Sequence, residues 1–205
     1  VEKLTLKFEK LLRDFDLTSL RDHSGVIYGV WSDFRLAYLN PGWFQFAREN
    51  GGEPRISSRW RLGTSILDGM TSPVREFYHA RYAESLRTYN VWSHEYECSS
   101  DAVYRLLHQM AYPLGAGEAL LIVNSVRIER THDPTERPAR HADDAVYRDK
   151  KGWVRQCAHC RRVKNLLELE RWDWVPEWVR VVPHPVNHGL CPLCVAHYYA
   201  PAANG

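Results

Sequence analysis

Apolar side chains recur at helical spacing near the start of the chain: Leu4, Phe8, Leu11 and Phe15, with Leu12 beside them and Glu2, Lys7, Glu9, Lys10 and Arg13 between. The spacing predicts an amphipathic helix over residues 1–17, its stripe buried on its own domain or against a partner copy. The pattern then changes period. Residues 26–31 and 36–40 read as two short strands joined by Ser32-Asp33-Phe34-Arg35. Asn40-Pro41 opens a helix, with Asn40 as N-cap, Pro41 at the first position and Gly51-Gly52 past the end. Ser72-Pro73 opens a second helix by the same logic, with Val74, Phe77, Tyr78 and Tyr82 along one face. Three more strands follow over 91–98, 103–112 and 119–129, joined by Ser99-Ser100-Asp101 and Gly115-Ala116-Gly117. Alternation puts Trp92, His94, Tyr96 and Cys98 on one face of the first of these, and Leu106, His108, Met110 and Tyr112 on one face of the second.

Strands at both ends with helices in the middle predict an α+β domain, one antiparallel sheet with helices over one face. Thr131 to Arg140 has two prolines, several charges and no apolar period, and reads as a linker. The expected organisation is an N-terminal helix over 1–22, a sheet domain over 23–130, a linker over 131–146 and a C-terminal module over 147–205.

Composition narrows the class. Of 205 residues, 44% are hydrophobic and 25% charged, as in a folded soluble protein. No apolar run approaches the roughly 20 residues of a membrane helix. Val1-Glu2-Lys3 is charged and lacks the apolar core of a signal peptide, so no membrane and a cytoplasmic setting are expected. A net charge of +2 does not by itself argue for nucleic acid.

The cysteines carry the sharpest chemistry. There are five, and four stand in two Cys-x-x-Cys pairs: Cys157 with Cys160, and Cys191 with Cys194. Each pair lets two thiolates grip one side of an ion, and two pairs complete the tetrahedral shell zinc prefers, at about 2.3 Å per Zn–S bond. Four thiolates also suit iron, and two disulfides are the redox alternative. A segment of about 55 residues can hardly bury a core unaided, so a structural Zn2+ would supply much of its folding free energy, with Trp172, Trp174, Trp178 and Val179 as apolar material. His159, His188 and His197 crowd the same region. They read as outer groups, with His188, close to Cys191, as the substitute ligand. Cys98 stands apart and reads as a buried, inert thiol.

Two stretches resemble known families. Gly29-Val30-Trp31-Ser32-Asp33, Tyr38-Leu39-Asn40-Pro41-Gly42-Trp43, Phe77-Tyr78, the strand from His94 through Tyr96-Glu97-Cys98, and Tyr112-Pro113-Leu114 resemble PAS domains, the sensor modules of many bacterial signalling proteins. The resemblance covers residues 24–129. It implies a five-stranded antiparallel sheet with helices over one face, a cavity between them that holds a ligand or cofactor or is filled by side chains, and flanking helices that often dimerise. A homodimer through the N-terminal helix is therefore expected. The candidate pocket residues are Trp60, Tyr78, His79, Tyr82, His94, Tyr96, His108 and Tyr112, although an aromatic stripe at strand spacing is more often plain core. His79 matches the helix histidine that some haem PAS sensors use. The Asn-Cys-Arg-Phe string of flavin-binding PAS domains is missing, since residues 41–90 hold no cysteine. The PAS cofactor is left unknown.

The second resemblance is in the tail. Cys157 to Val163, Trp172 to Val179, and His188-Gly189-Leu190-Cys191-Pro192-Leu193-Cys194 with Tyr198 resemble the metal-binding tails of many bacterial PAS-containing sensors, with Asn187 where Ser is commoner. Four ligands close a zinc site, and the chain has no nucleophile elbow, His-Glu-x-x-His or phosphate-binding glycine loop. The expectation is a non-catalytic bacterial regulator that detects a small ligand, cofactor state or signalling partner and relays it by conformational change. One rival is nucleic-acid binding through Arg148, Lys150, Lys151, Arg155, Arg161, Arg162 and Lys164. The other is redox sensing through the zinc thiolates.

Overall fold

The computed structural model describes residues 3–199; Val1, Glu2 and residues 200–205, parts of the expected N-terminal helix and C-terminal module, lie outside them. The chain forms two units. One takes residues up to His94 and His108–Ser125; the other takes Glu95–Leu107 and Val126 onward. Among the described residues, no helix is long and apolar enough to cross a membrane.

The N-terminal stretch is broken into short elements where the periodicity predicts one helix. They are β1 (Lys3–Leu4), α1 (Leu6–Glu9) running into a 3-10 turn over Lys10–Leu12, and α2 (Leu17–Asp22). Two interactions break it. The main chain at Lys3 and Leu4 pairs antiparallel with Leu39 and Tyr38. Asp16 then starts a new helix as its N-cap, accepting from the Thr18 N–H at 3.0 Å and the Ser19 hydroxyl at 2.7 Å. The stripe still faces inward: Phe8 and Leu12 are fully buried, and Leu4, Leu11 and Phe15 pack around them.

After this come β2 (Ile27–Trp31), β3 (Leu36–Leu39), α3 (Pro41–Glu49), α4 (Arg55–Arg59), α5 (Val74–Thr88), β4 (Trp92–Glu97), β5 (Val103–Leu114) and β6 (Ala119–Thr131). The antiparallel sheet has the order β1-β3-β2-β6-β5-β4, six strands where five are expected, because β1 adds to the edge. Both faces are covered. On one, the Phe8 ring lies over Gly29 so closely that a Cβ there would meet it at 2.1 Å, and it stands edge-on to Trp31 at 5.4 Å. On the other, α5 buries Tyr78, Tyr82, Ser85 and Leu86, near the i, i+4, i+8 spacing of one helix face.

Asn40 fixes the handover from strand to helix. Its Oδ1 accepts from the Trp43 N–H at 3.0 Å, capping α3, and from the Ile27 N–H at 2.9 Å. Its Nδ2 donates to the Gly25 carbonyl at 2.9 Å.

The second unit adds α6 (Asp144–Tyr147), β7 (Val154–Cys157), β8 (Val163–Lys164), β9 (Trp172–Asp173), α7 (Pro176–Arg180), β10 (Val186–Gly189) and α8 (Pro192–Tyr198). Its sheet runs β10-β7-β8-β9. Tyr147, Val154, Val163 and Val175 form a small core with Trp178 against it. Asp173 ties the module together, accepting from the Tyr147 hydroxyl and Asn165 Nδ2 at 3.0 Å each and from Arg171 Nε at 2.6 Å. The stretch that reads as a linker packs here: the Arg140 N–H donates to the Trp174 carbonyl at 2.8 Å, and Arg137 is 8% exposed.

Candidate metal centre

Strand direction brings the cysteine pairs together. β7 and β10 run parallel, with Val186 opposite Val154 and Gly189 opposite Cys157. Each strand therefore delivers its Cys-x-x-Cys turn at the same end. Parallel neighbours need a crossover, and the tryptophan-rich span through β9 and α7 supplies it. The Ala158 N–H donates to the Gly189 carbonyl at 2.7 Å, joining the two turns directly.

The first turn closes by the Arg161 N–H on the Cys157 carbonyl at 3.1 Å and the Cys157 N–H on the Arg162 carbonyl at 2.8 Å. Arg161 takes a left-handed conformation, φ 61°. In the second turn Cys191 caps α8 and Pro192 fills its first position, where a missing N–H costs nothing. The N–H groups of Cys191 and Cys194 donate to the sulfurs of Cys157 and Cys191 at 3.4 Å each.

All four cysteines are buried and free, and their sulfurs lie within 4.8 Å of one another. The edge of a tetrahedron with Zn–S bonds of about 2.3 Å is about 3.8 Å; Cys160 and Cys191 stand 3.7 Å apart. A disulfide needs about 2.05 Å. The donor set fits one thiophilic metal ion. A bound divalent cation would hold all four as thiolates.

The nearby histidines lie outside the cluster. His159 Nε2 shares a 2.5 Å hydrogen bond with the Tyr199 hydroxyl, and its ring stacks on Tyr199. Burial lowers its basicity. His188 and His197 are exposed, so the structure does not bring the substitute ligand to the sulfurs. Burial pushes the Cys98 thiol up, against the pull of Arg105 and Arg161. The basic run is divided: Arg148 bonds Asp144 at 2.7 Å and the Gly152 carbonyl at 2.8 Å, Arg161 is half-buried beside the thiols, and Lys150, Lys151 and Arg155 are exposed.

The eight candidate pocket residues fall in several places. Tyr78, Tyr82 and His94 form an aromatic cluster with Trp92, whose ring stacks on His94 at 5.4 Å. Trp60 is buried against Gly69. His79 is exposed, its ring at 5.2 Å from Phe34. His108 and Tyr112 lie on the opposite sheet face, because the alternate residue Gln109 meets Tyr82; Tyr112 donates to Met110 sulfur at 3.2 Å and stands edge-on to Phe15. Tyr96 belongs to the second unit, 5.5 Å from His159.

Two polar networks escape the sequence reading. Inside the first unit, the Tyr82 hydroxyl donates to Gln109 Oε1 at 2.9 Å and so must accept from Tyr28 at 3.1 Å. Gln109 Nε2 donates to Asn124 Oδ1 at 2.9 Å, and Asn124 Nδ2 to the Val26 carbonyl at 3.1 Å. In the second unit, Arg137 and Glu97 form a buried ion pair.

Two strands, a helical middle and three longer strands close into one sheet with β2 between β3 and β6. This is the α+β form expected of the sheet domain, one antiparallel sheet with helices packed on it. No protein-family model matches the chain, and no curated protein matches it. Among solved structures it is similar to a domain of an HTR-like protein from Haloarcula marismortui ATCC 43049, at 13% identity over 52% of this chain and 100% of that one, TM-score 0.38. The PAS domain of Bordetella pertussis BvgS matches at 16% identity over 64% of this chain and 90% of that one, TM-score 0.40. A phage VqmA–DPO complex matches at 10% identity over 58% and 54%, TM-score 0.42.

Proposed function

We propose that this chain is a non-catalytic regulatory protein in which a PAS-like sensing or protein-interaction domain is joined to a structural zinc module. A stimulus at the PAS-like domain shifts the second unit between two arrangements, and the metal holds that unit folded in both. The observation that carries this reading is the buried cluster of four cysteine sulfurs. Four protein thiolates leave a zinc ion no open position for water or substrate, which favours a structural role over a catalytic one. Thiolate ligation also needs a reducing compartment, in keeping with a cytoplasmic setting.

The test is chelation. Stripping the metal under reducing conditions is expected to unfold the second unit, with loss of the near-ultraviolet signal of its tryptophans, and added Zn2+ to restore it. A chain that keeps its spectrum and melting curve after complete metal removal contradicts the structural role.

A further inference from the structure

Arg137 sits in the polar stretch between β6 and α6, yet it is buried. One arm of its guanidinium meets Glu97 Oε1 at 2.5 Å, and the other donates to the Cys160 carbonyl at 3.2 Å. The rings of Tyr104 and Trp174 lie at 5.4 Å from its centre. Glu97, the last residue of β4, is 5% exposed and also accepts from the Ser99 hydroxyl. One side chain thus holds both the end of a sheet strand and the main chain of a metal ligand, all within the second unit.

We propose that Arg137 is a positioning residue that couples metal binding at the cysteine cluster to the conformation of the β4 end, residues 95–99. The inference rests on the metal reading above. A buried guanidinium is stable only while its partners stay in place, because an unpaired buried charge is strongly unfavourable. The Cys160 carbonyl is held in place when the Cys157–Cys160 turn is closed on a metal. Opening that turn withdraws one acceptor from Arg137 and loosens Glu97; displacing Glu97 in turn frees Arg137 from Cys160. Linkage makes the two effects equal: whatever factor the metal changes the β4 equilibrium by, β4 changes metal affinity by the same factor. β4 itself begins in the first unit, at Trp92 and His94.

The experiment uses the full chain. Zinc transfer to a chromophoric chelator is measured for wild type, Arg137→Lys, Arg137→Met and Glu97→Gln, alongside hydrogen exchange of residues 95–99 with and without metal. Arg137→Met is expected to weaken zinc binding by about 10- to 100-fold, the usual cost of losing a group that orients a ligand. Arg137→Lys is expected to fall between, since lysine keeps the charge but not the two-armed fork. Glu97→Gln is expected to weaken zinc binding through Arg137, and it keeps the proposal testable if Arg137→Met does not fold. In wild type, metal removal is expected to speed exchange at 95–99; in the variants that response is expected to shrink. Zinc binding within twofold of wild type in Arg137→Lys and Glu97→Gln, or an undiminished exchange response, overturns the coupling. A wild-type chain that binds no zinc instead overturns the metal reading beneath it.

Discussion

Asn40 uses both ends of its amide, and losing it removes a helix cap and several buried partners at once. Asn40→Ala is expected to lower stability by about 2 kcal/mol or more, as read from urea unfolding. Asn40→Asp keeps the cap but loses the donor to Gly25, so it is expected to be destabilised as well. Gly29→Ala is expected to cost about 1–3 kcal/mol, because the new methyl would have to displace the Phe8 ring. Tyr28 gives a pH signature. Burial pushes its phenol from 10.0 up to about 12. Between these values the unfolded chain loses the proton and the folded one keeps it, so stability falls as pH rises from about 10 to 12. Tyr28→Phe is expected to flatten that fall in melting temperature; an unchanged slope would show that the Tyr28 proton is not the cause. Asn40 was legible because Asn-Pro before an apolar run has a capping mechanism. The Tyr28–Tyr82–Gln109–Asn124 chain was not, because its members are far apart in sequence and no spacing rule links them.

Among the elements, α3, α5 and the five longer strands of the first sheet were legible from period and turn chemistry. Ser72-Pro73 shifted by one position: Pro73 is the N-cap, and the Ser72 hydroxyl pairs with the Glu76 carboxylate instead. The N-terminal helix was legible only as a stripe. Helical spacing identifies Phe8 and Leu12 as inward-facing, but the pairing of Lys3 and Leu4 with the sheet edge and the Asp16 cap are tertiary and local effects that override it. Because that stripe is buried on the chain's own sheet, removal of residues 1–16 is expected to lower the melting temperature and raise binding of a hydrophobic dye. An unchanged melt would contradict the burial of Phe8 and Leu12. Residues 131–140 read as a linker because most of them are exposed, and the burial of Arg137 rests on an ion pair and ring contacts for which a polar sequence gives no period.

At the scale of the whole molecule, two units with different sources of stability share one chain. The first has a two-sided sheet with apolar cover on both faces. The second has a core of a few side chains and four buried thiols whose sulfurs lie within 4.8 Å of one another. The cysteine spacing made the site legible; the parallel pairing of β7 with β10, which explains why the two turns meet, had no signature in strands this short. The metal is therefore what the second unit depends on most. The measurement that tests it most directly is metal content and absorption spectrum on one sample of purified protein, beside Cys157→Ser/Cys191→Ser. One zinc per chain, no visible band, and loss of both metal and second-unit structure in the double variant are expected. Metal-free wild-type protein that melts as one folded chain, or a double variant with the same metal content and melting curve, would contradict it.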